Sequence, residues 1–148
     1  MIDLHTHSTV SDGTGTPAEV MAEAAAAGLT TVALTDHDGT GGWAEASEAA
    51  VRHGLTLVRG VELSTRHRGM SVHLLGYLVD PDHPELVAEM ALTRDDRLPR
   101  LQTMVRLMAD DGLDITWDDV EAQLSEADAP GRPHVADALV AKGVVPDR

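Results

Sequence analysis

An α/β fold with parallel strands is the architecture this 148-residue sequence predicts, and three observations carry it. Short β-rich apolar runs alternate with segments whose apolar residues recur at helical spacing through residues 2–62. Strand–helix–strand alternation of this kind implies parallel strands joined by crossover helices. The polar residues able to do chemistry fall where the predicted strands finish, and parallel α/β architectures place their sites at those carboxyl ends.

The first element is a short strand, expected to be buried, within Met1-Ile2-Asp3-Leu4-His5-Thr6-His7-Ser8. Residues i and i+2 share a strand face, so His5 and His7 project together while Ile2 and Leu4 point the other way. With Asp12 of Ser11-Asp12-Gly13 just past the strand, these two imidazoles make half a metal site. A helix then opens at Thr16-Pro17-Ala18-Glu19, a capping-box pattern with proline at the first helical position; Val20, Met21 and Ala24 form its apolar face and Gly28 ends it. The run 31–35 is a second buried strand leading into Asp36-His37-Asp38-Gly39, where the two aspartates taken singly also suit Asx turns. A helix over 43–53 is closed by Gly54, and 57–61 is a third strand ending at Glu62. A fourth strand, 71–78, carries His73 and pairs antiparallel with the third through the turn at Arg68-Gly69.

From Pro81 the character changes. Asp80-Pro81-Asp82-His83-Pro84 is a turn-rich linker, and 85–109 has helical apolar spacing through Leu86, Met90, Leu98, Leu101, Val105 and Met108. Pro99 lacks an amide donor and clashes with the carbonyl four residues back, which puts a kink near Asp95. Arg94, Arg97, Arg100 and Arg106 read mainly as a solvated face paired with Asp95, Asp96 and Asp110, from which one or two reach an anion. Thr116-Trp117-Asp118-Asp119 caps a short helix to about Leu124, and Gly131-Arg132-Pro133-His134 opens another that ends at Gly143. Free amides, a helix dipole and a guanidinium at Arg132 and His134 favour a phosphate; alternatively Pro133 simply starts the helix and His134 packs. The chain divides accordingly into 1–84, which holds the metal motifs, and a helical module over 85–148.

Composition narrows the chemistry. With 25 Asp and Glu against 11 Lys and Arg, the formal net charge is −14, which repels long nucleic acids and anionic membranes and makes a small anionic substrate easier to accommodate. No cysteine is present, so a metal must be held by nitrogen and oxygen. No apolar run approaches the roughly 18 residues of a membrane span, and the expected location is cytoplasmic. The candidate ligands are His5, His7, Asp12, His37, Glu62 and His73, a mixed set suited to divalent Mn, Zn or Fe, with Glu62 able to bridge two ions. Two ions roughly 3.5 to 4 Å apart clamp the oxygens of an in-line phosphoryl displacement, so metal-assisted hydrolysis is the expected reaction class.

Four motifs in order, Asp3-Leu4-His5-Thr6-His7-Ser8 with Ser11-Asp12-Gly13, Thr35-Asp36-His37-Asp38, Gly60-Val61-Glu62-Leu63-Ser64 and His73-Leu74-Leu75-Gly76-Tyr77, resemble the first half of the polymerase and histidinol phosphatase (PHP) superfamily. The segment ending at Gly131-Arg132-Pro133-His134 resembles one branch, the nucleoside 3′,5′-bisphosphate phosphatases and related 5′-to-3′ exoribonucleases, whose barrel carries a helical insertion. The resemblance implies the N-terminal part of a distorted (β/α)7 barrel with up to three divalent ions. His5, His7 and Glu62 would hold one ion, Asp12 and His37 a second, and Glu62 with His73 a third. Asp12 and His37 would serve catalysis, hydroxide activated by metal would attack phosphorus, and Arg132 and His134 would bind the phosphates of a nucleotide.

The family's later ligands, in a His-Pro motif and an Asp-x-His motif, have no counterpart in the required place, since His83-Pro84 falls too early. The expectation is therefore half a barrel, with one protein ligand missing from each metal and open strand edges that favour self-association. Other readings are a histidinol-phosphatase-like enzyme, a C–N hydrolase of the amidohydrolase type, or a truncated, non-catalytic metal-binding module. The amidohydrolase type often bridges its metals with a carbamylated lysine, and the only lysine here is Lys142, in the last helix.

Overall fold

The strands form one four-stranded mixed sheet in the order β1 (Ile2–Thr6), β2 (Thr31–Leu34), β3 (Thr56–His67), β4 (Met70–Tyr77). It is seen in a computed structural model that describes residues 1–124 and 130–147. The first three strands are parallel, with Thr31 opposite Thr56 and Leu34 opposite Arg59, and β4 returns antiparallel to β3 from His67 opposite Met70 to Gly60 opposite Tyr77. Crossover helices α1 (Pro17–Ala26) and α2 (Trp43–His53) join the parallel strands, as the alternation predicts. The Thr16 hydroxyl accepts from the Glu19 amide and the Glu19 carboxylate from the Thr16 amide, closing the capping box. Gly54 ends α2 at φ 67, a left-handed backbone that glycine adopts without a Cβ clash.

Met21 and Ala24 of α1, Trp43, Ala46, Ala49 and Ala50 of α2, and Val32 and Leu34 of β2 make the core under the sheet. Small alanines let the two helices approach closely, and Trp43 ties α2 to the sheet by donating its Nε1–H to the Gly60 carbonyl at 2.8 Å. Two expectations need correction. β1 is not buried: it is an edge strand paired with β2 alone, and Ile2 and Leu4 are 63% and 41% exposed. β3 does not end at Glu62 but runs on to His67, because Leu63-Ser64-Thr65 contains no breaker and the chain turns only at Arg68 and Gly69, both with positive φ. Glu62 nevertheless stands just past the part of β3 that pairs with β2, bridged to His37 by parallel backbone hydrogen bonds.

Beyond the sheet lie α3 (Pro84–Asp95), α4 (Arg97–Asp110), α5 (Trp117–Glu121) and α6 (Arg132–Ala141). The helix expected over 85–109 does break, at Asp96, three residues before Pro99. Leu101, Val105, Ile115, Val120, Val135, Ala138 and Leu139 bury one another as a second core. Residues 125–129 and 148 of the expected helical module lie outside those described.

The Asp119 carboxylate caps α5, accepting from the Thr116 hydroxyl at 2.6 Å and amide at 2.8 Å, and pairs with Lys142 at 2.9 Å. The Thr116 hydroxyl, then Lys142, hold its carboxyl down to about 2. A carboxyl depressed in the folded state stabilises above its unfolded value of about 4, and that contribution disappears as pH falls through the folded value. Fluorescence of Trp117, which packs on the second core, should therefore report loosening of this module between about pH 4 and 2. Asp119→Asn should remove that part of the acid response.

Candidate metal centre and phosphate cleft

The candidate ligands come from β1, β3 and β4 and from the loops that follow β1 and β2. His5 lies on β1, and His7 and Asp12 lie in the turns after it. His37 follows β2, Glu62 is on β3, and His73 lies on β4 two register positions beyond it, opposite Ser64. Gly13 makes the turn at Asp12 possible, since a Cβ there would stand 2.4 Å from the His7 carbonyl oxygen.

All six residues meet. Glu62, 3% exposed, is the centre: its Oε2 lies 2.6 Å from His5 Nε2 and 2.8 Å from His7 Nε2, and its Oε1 contacts His73 Nδ1. Asp12 stands 3.3 Å from His7 Nδ1 and 3.6 Å from His37 Nε2. Three ligand triads result, His5–His7–Glu62, His7–Asp12–His37 and His37–Glu62–His73, each with donor atoms within 4.8 Å of one another. His7, His37 and Glu62 are thus shared between triads, more than the pairings expected from the resemblance. Burial would raise the Glu62 carboxyl, but the bond from His5 and the nearby His37, His7 and His73 outweigh it and hold the carboxyl below its ordinary value. Burial pushes the His37 imidazolium down against the opposing pull of Asp12, and Arg97 adds to the fall, so the ring stays neutral and able to ligate.

The donor set fits divalent metal. Four imidazoles and two carboxylates converge where a lone carboxylate would have no need of so many neighbours, and no thiolate competes. His37 Nδ1 is buried with no hydrogen-bond partner among the described residues, a cost that ordinary packing avoids.

Behind the ligands, Asp36 and Asp38 do more than turn a loop. Asp36, 2% exposed, accepts from the Ser8 amide at 2.7 Å, the Ser8 hydroxyl at 2.8 Å and the Ser11 hydroxyl at 2.7 Å, which ties the β1 turn to the β2 end. Of the arginine series Arg97 does reach an anion, the Asp38 carboxylate; Arg94, an exposed residue, donates to the Asp38 carbonyl, and Arg100 stays local with its Nε–H on the Asp96 carbonyl. The three-residue spacing of these arginines signalled a shared helix face; what that face met had no sequence signal.

A cleft of about 650 Å³ opens over Asp12, His37 and His73. Arg66, Arg97, Arg100 and Arg132 line it, a local reversal of the chain's net charge of −14. Arg132 thus faces the ligand cluster. His134 does not line the cleft; it is 7% exposed and its Nδ1 accepts from the Gly131 amide at 3.1 Å, shaping the turn that carries Arg132. Lys142 pairs with Asp114 and Asp119, on the helical module and away from the ligand cluster.

Comparison with known proteins agrees with this geometry. The chain is 40% identical over 146 residues to a 3′,5′-nucleoside bisphosphate phosphatase of Chromobacterium violaceum, covering 99% of this chain and 51% of that protein. It is 36% identical to a 5′-3′ exoribonuclease of Haemophilus influenzae, covering 97% and 52%. Among solved structures, a proposed metal-dependent phosphoesterase from Bifidobacterium adolescentis superimposes with a TM-score of 0.89 at 44% identity, over 98% of this chain and 51% of that one. An amidohydrolase from Chromobacterium violaceum, with bound sulfate and no metal, gives 0.91 at 40%, over 99% and 51%. The chain spans about half the length of these relatives, and its open mixed sheet with flanking helices is a half-barrel of their kind. Since the model of the PHP domain matches residues 3–121, a span that contains all six converging candidate ligands, the chain belongs to the PHP family.

Proposed function

We propose that the chain carries the metal-binding part of a phosphoesterase that hydrolyses phosphate monoesters of nucleotides, either a nucleoside 3′,5′-bisphosphate or short RNA ends. One observation carries this reading: the six-ligand cluster opens directly into a cleft with four arginines. The names of the bisphosphate phosphatase and exoribonuclease relatives support the nucleotide part. Up to three divalent ions, Mn, Zn or Fe, would be held by His5, His7, Asp12, His37, Glu62 and His73. Bound there, they would supply Lewis acidity toward phosphoryl oxygens and lower the pKa of a coordinated water.

The chain's own residues do the rest. Asp12 and His37, which line the cleft, would orient the attacking water and the phosphoryl oxygens. Arg132 takes a second phosphate through the forked geometry that guanidinium offers, and His134 presents it by holding the Gly131 turn. The proposed location is the cytoplasm; among the described residues no helix is long and apolar enough to cross a membrane. The outer edges of β1 and β4 are where a second copy would dock.

The test is phosphate release by the Mn-loaded chain from a nucleoside 3′,5′-bisphosphate, with histidinol phosphate as the competing substrate. His7→Ala and Asp12→Ala should each abolish release while leaving circular dichroism unchanged. Undiminished turnover in either variant would remove the metal assignment.

A further inference from the structure

The buried pair of Asp38 and Arg97 does not belong to the ligand set, yet it joins the helical module to the ligand loop. Asp38 is 1% exposed and directly follows His37. It holds a φ of 49, which L side chains other than Asn and Asp rarely adopt. Its surroundings explain how it stays there. The Asp38 amide donates to the Glu62 carbonyl at 3.0 Å, and its Oδ1 accepts from the Ser64 amide at 2.8 Å. Its Oδ2 accepts from Arg97 Nη2 at 2.5 Å and Nε at 3.2 Å, and its carbonyl accepts from Arg94 Nη1 at 2.5 Å. Arg97 Nη2 also donates to the Ser64 hydroxyl at 2.8 Å.

We infer that Asp38 and Arg97 are positioning residues: the ion pair sets the backbone between His37 and Glu62, so that ligand geometry after β2 and on β3 depends on the docking of α4. This rests on the metal reading above. Two features separate it from plain stabilisation. A buried ion pair contributes little net stability compared with an apolar pair of the same volume, so what this one adds is the fixed geometry of its hydrogen bonds. It ties the loop after β2 that carries His37 to the strand that carries Glu62, and both ligands are members of one triad. Direct substrate binding is a different role, and Arg97 does line the cleft; but its Nε and Nη2 are directed at Asp38 and Ser64, which orients the guanidinium toward the protein.

The test titrates the metal-free chain with Mn2+ by calorimetry, without substrate, and records the visible absorption of the Co2+-loaded chain. Asp38→Asn keeps a side chain that tolerates positive φ but removes the charge, and Arg97→Met keeps the length but removes the fork. Each should weaken Mn2+ binding about tenfold, as loss of a group behind a ligand commonly does, and shift the Co2+ spectrum. The double variant should be no worse than either single one. Arg97→Lys should recover part of the affinity, retaining charge without the fork, and it carries the test with Asp38→Asn if Arg97→Met fails to fold. In hydrolysis the loss should fall on kcat with KM little changed.

Unchanged Mn2+ affinity and Co2+ spectrum in folded variants would overturn the inference, whether or not the melting temperature drops. A raised KM at unchanged kcat would overturn it in favour of substrate contact. A wild-type chain that takes up no Mn2+ instead defeats the metal reading itself, an outcome visible before any variant is made.

Discussion

Glu62→Gln should strip metal from the chain without unfolding it. The carboxylate is buried to 3% exposure and receives three imidazoles on its two oxygens, so it is the only residue of the cluster that two of the three triads share as an anion. Glutamine keeps the volume and one acceptor but replaces the other oxygen with an amide nitrogen that carries hydrogens and cannot ligate. Metal affinity should fall by about 100-fold or more, at or beyond the upper end of what removing a supporting group costs, because here a ligand itself is lost. Phosphate release should fall with it. The metal-free protein should melt within a few degrees of wild type, since the change removes a buried charge and leaves a near-isostere. Elemental analysis and a thermal melt of the same sample check both halves. A variant that retains its ions would make Glu62 a structural acceptor for histidines.

That centre was readable because its signals are local. His5 lies on a strand and His7 two residues on, just past its end, Asp12 and His37 also sit past strand ends, and period-two geometry places such side chains without knowledge of the whole fold. The helices were equally legible: proline at the start of α1, left-handed glycine after α2 and the break before Pro99 are short-range chemistry. Burial of β1 was not legible, because Ile2 and Leu4 read as a core strand wherever they stand in the sheet, and sheet order is a long-range property. Nor was Asp38 as the partner of Arg94 and Arg97. A basic helix face is satisfied equally well by water, by its own aspartates or by Asp38 more than fifty residues earlier, and only the docking of α4 decides among them.

Asp36→Ala should give the opposite signature, a loss of fold that precedes any loss of chemistry. Asp36 lies in the same Asp36-His37-Asp38 stretch as a ligand, but its own oxygens are occupied: Ser8 delivers an amide and a hydroxyl and Ser11 a hydroxyl, all within 2.8 Å and all buried. Alanine leaves three donors without an acceptor where water has little access. Bonds to a charged acceptor contribute about 1.5 to 3 kcal/mol each, though the donors relax in part, so about 3 to 5 kcal/mol of stability should be lost. For a chain of this size that lowers the melting temperature by roughly 10 °C. Asp36→Asn should cost less, since one oxygen survives, but its amide hydrogens then face a donor. Because Ser8 and Ser11 shape the turn that presents Asp12, metal affinity measured well below the melt should also drop, by about tenfold. If Asp36→Ala instead melts like wild type and loses its metal, then Asp36 acts as a ligand, and the assignment of Asp12 to that corner of the site must be reopened.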